Sequence, residues 1–114
     1  MTNVKAEVVL TVSESKRLIA KGVAHSDLVR ERMQKGVIVL CNGSTNAYVY
    51  EELVGETLEK RTYVTGGMAP AHVGRSWRVE ARKSLVLVDG VPDPVLDRFS
   101  ALDEMREGDI YIKG

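Results

Sequence analysis

Hydrophobic and polar residues follow two rhythms along this chain, and each change of rhythm marks an element. From Thr11 to about Ala24 the apolar positions recur at helical spacing. Leu18, Ile19, Val23 and Ala24 fall on one side, and Glu14, Lys16, Arg17 and Lys21 face water. Thr11 followed by Glu14 fits a capping box and sets the start of that helix. The apolar run Val8-Val9-Leu10 ahead of it reads as a short strand or as a segment packed on the helix. Ser26 and Asp27 offer a second cap, for a helix through about Gln34 with Leu28, Val29 and Met33 as its buried side. Lys35-Gly36 closes it.

The stretch from Gly36 to Val54 organises the rest. Val37-Ile38-Val39-Leu40-Cys41 is a continuous apolar run, mostly β-branched, which suits a strand covered on both faces as in a parallel sheet. Asn42-Gly43 breaks the run, and Ser44 or Thr45 caps a helix that carries Tyr48, Val49, Tyr50, Leu53 and Val54 and stops at Gly55. Tyr63-Val64-Thr65 reads as a second strand ended by Gly66-Gly67. The Gly-, Ala- and Pro-rich stretch to Arg75, with Met68, Pro70 and His72, reads as a loop of mobile or ligand-facing character. Trp77, Val79 and Ala81 alternate with Arg78, Glu80 and Arg82, the pattern of a half-buried strand. Ser84 to Val88 is a second buried strand ended by Asp89-Gly90, and Pro92 and Pro94 prevent a regular continuation. Ser100 to Glu107 reads as a short helix, and Ile110-Tyr111-Ile112 as a last strand leading to Lys113-Gly114. These elements predict an α/β domain of the Rossmann-like, three-layer kind with a mainly parallel sheet.

Composition narrows the function classes. The 114 residues fit one domain, and 44% apolar with 28% charged residues is ordinary for a globular protein. Sixteen basic and sixteen acidic residues cancel, so no net field draws the chain to nucleic acid or to an acidic membrane. A local basic patch around Arg75, Arg78, Arg82 and Lys83 is still expected. Cys41 is the only cysteine; it forms no internal disulfide, and its place in the strand suits an inert core thiol. His25, His72 and Cys41 lack metal-ligand spacing, so no metal is expected. No Walker or Gly-x-Ser-x-Gly motif calls for a cofactor or marks a nucleophile. His25 reads as a solvated or capping side chain, and His72 as the better candidate for ligand contact. With neither a signal peptide nor an apolar run of spanning length, the cytoplasm is the expected compartment.

Candidate chemistry gathers at strand ends. Asn42-Gly43-Ser44-Thr45, Asp89-Gly90 and Lys113-Gly114 each follow a predicted strand. In an open parallel sheet, ligands sit beyond the carboxyl ends of the strands. Free backbone amides at the helix start, a carboxylate and an ammonium would then face one crevice suited to a phosphorylated or carboxylated small molecule. Equally, Asp-Gly and Lys-Gly are common turn dipeptides. The competing reading is a non-catalytic structural or protein-interaction module.

The order Gly-Ser-Thr, Asp-Gly, Ile-Lys-Gly resembles the type A ribose-5-phosphate isomerases, whose superfamily includes glucosamine-phosphate deaminases and CoA transferases. The resemblance spans roughly residues 36 to 114. It implies a Rossmann-like α/β fold in which Asn42, Gly43, Ser44 and Thr45 bind a sugar phosphate. Asp89, with Gly90, would supply an active-site acid, and Lys113-Gly114 would match the family's Lys-Gly motif. Asp89 and Lys113 would polarise or orient the ligand as catalytic residues. Cys41 stands where that family has glycine, and Pro92 where a second acidic residue is expected, although Asp93 follows. The glycine run and glutamate base of the family have no counterpart before Gly114. The segment from Val12 to Gly36 also looks less like those isomerases, which suggests a divergent branch, and the end at Gly114 suggests a fragment of a longer chain. An incomplete domain would expose a sheet edge, which suits a homo-oligomer or a missing partner segment.

Overall fold

A computed structural model describes residues 2–65, 71 and 80–114. Two predicted caps are made. Thr11 Oγ1 accepts the Glu14 amide at 3.2 Å while the Glu14 carboxylate accepts the Thr11 amide at 3.0 Å, and Ser26 Oγ accepts the Val29 amide. They start α1 (Val12–Ala24) and α2 (Asp27–Gln34). The buried faces differ from those expected. α1 buries Ala20 and leaves Leu18 and Ile19 more than half exposed, and α2 buries Val29 and leaves Leu28 exposed. The cause is a charged contact with α3 (Ser44–Val54). Arg17 donates to Glu51 at 2.6 Å and to Glu52 at 3.1 Å, and lies 4.8 Å from the centre of the Tyr48 ring. Its long apolar stem covers the interface, so a residue assigned to water turns inward in place of Leu18. The Val8–Leu10 run forms neither strand nor helix and stays exposed.

β1 (Val37–Leu40) is buried on both faces, as its composition predicts. Its neighbours run in opposite directions. β4 (Ile110–Ile112) is parallel, with Leu40 beside Ile112, whereas β2 (Leu85–Val88) is antiparallel, with Leu40 beside Leu85 and Val37 beside Val88. β3 (Val91–Pro92) completes the order β3-β2-β1-β4. The sheet is therefore mixed, not mainly parallel. A doubly buried strand reads the same whichever way its neighbours run.

Alternation sorts the strands onto two faces. Ile38, Leu40, Leu85, Leu87, Ile110 and Ile112 join the side chains of α1, α2 and α3 in one cluster. Val37, Val39, Val86 and Val88 face Leu96, Ala101 and Met105 in the other. Among the described residues all helices lie on the first face, and the second is covered by a 3-10 turn, Ser100–Glu104, with its flanks. The helix expected over Ser100 to Glu107 is only that turn. The Asp109 carboxylate accepts the Arg106 amide at 2.7 Å, and Gly108 adopts φ 89°. Most of the expected loop after Thr65, including His72 and Arg75, and Trp77, Arg78 and Val79 of the half-buried strand lie outside the described residues. Glu80 to Lys83 are not strand.

The expected strand at Tyr63–Thr65 is replaced by a 3-10 turn, Lys60–Tyr63, which drives the Tyr63 side chain fully into the core. Its hydroxyl donates to the Leu40 carbonyl and accepts the Leu85 amide at 2.9 Å, bridging β1 and β2 where they separate. Tyr63→Phe leaves both backbone groups buried without that partner. The expected loss is about 1–3 kcal/mol of stability, read from urea unfolding, with little change in m.

Asp109 fastens the other end of β1. Its carboxylate accepts the Val37 amide at 3.0 Å beside the Arg32 guanidinium. Burial alone would push this carboxyl up, but the Val37 and Arg106 amides and nearby arginines outweigh it and hold it below the ordinary range. The stabilisation is complete above the unfolded carboxylate value near ~4 and is lost as pH falls through the lower folded value. Urea unfolding followed from neutral pH downward should show this loss, and Asp109→Asn should flatten it.

Candidate functional site

The end of β1 leads through Cys41, Asn42 and Gly43 into α3. Two tethers fix this turn. The Gly43 amide donates to the Tyr63 carbonyl at 2.8 Å, and the Cys41 amide donates to the Ile112 carbonyl at 2.9 Å. Asn42 is held at both ends of its amide, donating to the Arg82 carbonyl at 2.9 Å and accepting from Ser84 Oγ at 2.7 Å. Asn46 Nδ2 donates back to the Cys41 carbonyl. The turn is thus shaped by the protein's own hydrogen bonds.

Gly43, not Ser44 or Thr45, is the N-cap of α3, and no side chain caps the helix. The Gly43 amide is engaged by Tyr63, so it anchors the turn and is not free for an anion. The amides of Ser44, Thr45 and Asn46 have no acceptor among the described residues. Ser44 is exposed and Thr45 half-buried. The other helices place an acid in the first turn, Glu14 in α1 and Asp27 in α2, but α3 has none. Instead Lys16 of α1 brings its ammonium 2.9 Å from Ser44 Oγ. A cation there has the wrong sign for the positive end of a helix.

Parallel pairing brings Lys113 and Gly114 to this same end, since they follow Ile112 beside Leu40. Asp89 and Gly90 lie at the opposite end. β2 starts beside Leu40 and finishes beside Val37, so the Asp-Gly pair is a hairpin turn into β3. Both residues have positive φ, 51° and 81°, as a type I′ turn needs. Asp89 accepts the Gly36 amide at 2.9 Å, and a Cβ at Gly90 would collide with the Met33 carbonyl. Of the three strand ends expected to share one crevice, the topology therefore brings two to the same end of the sheet. Lys16 was not legible as a site residue, because only the packing of α1 on α3 brings it to the turn.

Among the described residues, no group of three or more His, Cys, Asp or Glu converges as a metal site, and no helix is long and apolar enough to cross a membrane. Comparison with protein-family models, curated proteins and solved structures finds no match for this chain. The hairpin placement of Asp89 is testable. Asp89→Ala should cost about 1 kcal/mol of stability, for the lost hydrogen bond and the αL position, and leave any anion affinity of the β1–α3 turn unchanged in calorimetry.

Proposed function

We propose that the chain binds a small anionic metabolite, phosphorylated or carboxylated, at the start of α3. The observation that carries this reading is the electrostatic mismatch there. An ammonium and three amides without an acceptor among the described residues lie at a helix end that has neither an acid in its first turn nor a side-chain cap. An anion would accept from the Ser44 and Thr45 amides and neutralise Lys16, and Lys113 would approach from β4. Of a Rossmann-like domain, the reading uses the strand–turn–helix unit and its parallel neighbour. A sugar-phosphate isomerase step is the finer form of the proposal; it would need its acid from elsewhere than Asp89, which sits at the far end of β1.

Ser44→Pro provides the test. Proline is well tolerated at the first helical position and lacks the amide hydrogen that an anion would use. Gly43 precedes it in an extended conformation, which also suits proline. Phosphate at about 100 times its Kd should stabilise the wild type by about 2.7 kcal/mol. Ser44→Pro and Lys16→Met should each fold normally and lose most of that gain in a thermal shift. An absence of any gain with phosphate, sugar phosphates or carboxylates in the wild type would reject the reading in favour of an interaction module.

A further inference from the structure

An opening lies at the same end of the sheet. Asn42, the Arg82–Ser84 segment and the Asp97–Phe99 turn border a cleft of about 220 Å³. Arg82, Lys83 and Arg98 line it against a single carboxylate, Asp97. That excess of cations is local, since charge over the whole chain cancels.

Two of these charges are already in use. The Lys83 ammonium donates to the carbonyls of Ser84, Asp93 and Leu96, tying the irregular cover to the start of β2. Asp97 accepts the Ser100 and Phe99 amides, each at 2.9 Å, and these hold its carboxyl below the ordinary range. The two arginines differ. Among the described residues, neither Arg82 nor Arg98 has a carboxylate within ion-pair distance. The Arg98 guanidinium lies 4.8 Å from the centre of the exposed Phe99 ring. Stacking of this kind fixes a guanidinium while leaving its N–H groups available for a planar or tetrahedral oxyanion.

The cleft adjoins the α3 turn. Asn42 borders it and precedes Ser44 by two positions, a chain span of at most about 7 Å. The Asn42 side chain also grips the Arg82 carbonyl, so the cleft wall and the turn are held as one unit.

We propose that this cleft is a second anion subsite, in which Arg82 and Arg98 take an oxyanion group of the same ligand whose first anionic group sits at the start of α3. The ligand class is then a small molecule with two anionic groups on a short spacer, either a bisphosphate or a phosphorylated carboxylic acid. The assignment of the first group rests on the reading given under Proposed function; the cleft rests on its own two arginines.

Calorimetry with fructose monophosphate, fructose bisphosphate and phosphogluconate separates the possibilities. The bisphosphate or phosphogluconate should bind about tenfold or more tightly than the monophosphate, and whichever gains more identifies the group preferred in the cleft. Arg98→Met should remove that advantage while leaving the monophosphate affinity and the unfolding temperature unchanged. Ser44→Pro should weaken all three ligands. Equal binding of the three, with sensitivity to Ser44→Pro, overturns the second subsite and keeps the turn. Binding lost in Arg98→Met but untouched by Ser44→Pro overturns the turn reading and the shared ligand. Failure of all three ligands to bind overturns both.

Discussion

Where β1 and β2 separate, one phenol closes the gap. Leu40 and Leu85 sit opposite each other at the end of the antiparallel pair, and Tyr63 OH stands between the carbonyl of one and the amide of the other. A hydroxyl can serve both because it donates and accepts at once. Burial pushes the Tyr63 phenol up, so it keeps its proton across the ordinary pH range. The same residue's carbonyl holds the Gly43 amide. One side chain and its own backbone thus determine how far the sheet opens and how the chain enters α3. The arrangement forgives little, because Tyr63, Leu40 and Leu85 are buried, where water cannot replace a lost partner.

This explains which parts of the fold could be read in advance. Caps and turns are local, so Thr11 with Glu14, Ser26 and the Gly55 stop follow from residue chemistry alone. The direction of β2 is not local. It depends on which end of β1 the chain reaches before entering β2, and at that end the Tyr63 hydroxyl accepts the Leu85 amide and the Arg82 amide donates to the Thr62 carbonyl at 2.6 Å. A hydrophobic pattern carries no record of either bond. Asp89-Gly90 was legible as a turn, and its positive-φ geometry suits a hairpin better than the end of a parallel strand. The inward face of α1 was misread because Arg17 looks like a solvent residue until Glu51, Glu52 and Tyr48 are placed opposite it.

The candidate site divides in the same way. The strand–turn–helix unit is written in consecutive residues, Val37 to Val54, and could be read in advance as the unit proposed to bind an anion. Its cations come from separate parts of the chain: Lys16 from α1, Lys113 from the end of β4, and Arg82 and Arg98 from segments flanking the hairpin. Only the topology gathers them.

The gathering has a direction. At the amino end of β1, the carboxylates of Asp89 and Asp109 accept the amides of Gly36 and Val37, so negative charge meets unsatisfied N–H groups. At the carboxyl end the equivalent donors at the start of α3 meet no carboxylate among the described residues, and an ammonium stands beside the first helical residue. Stability alone would favour an acid there, as α1 and α2 have. Ser44 Oγ gives Lys16 a neutral acceptor, which orients the ammonium without cancelling its charge. The repulsion left at this end, with Arg82 and Arg98 unpaired among the described residues, is of the kind a bound anion removes. Departures from a local stability rule tend to concentrate where a protein works, and here they fall at the end of the sheet that Tyr63 bridges, the end at which the proposed anion site lies.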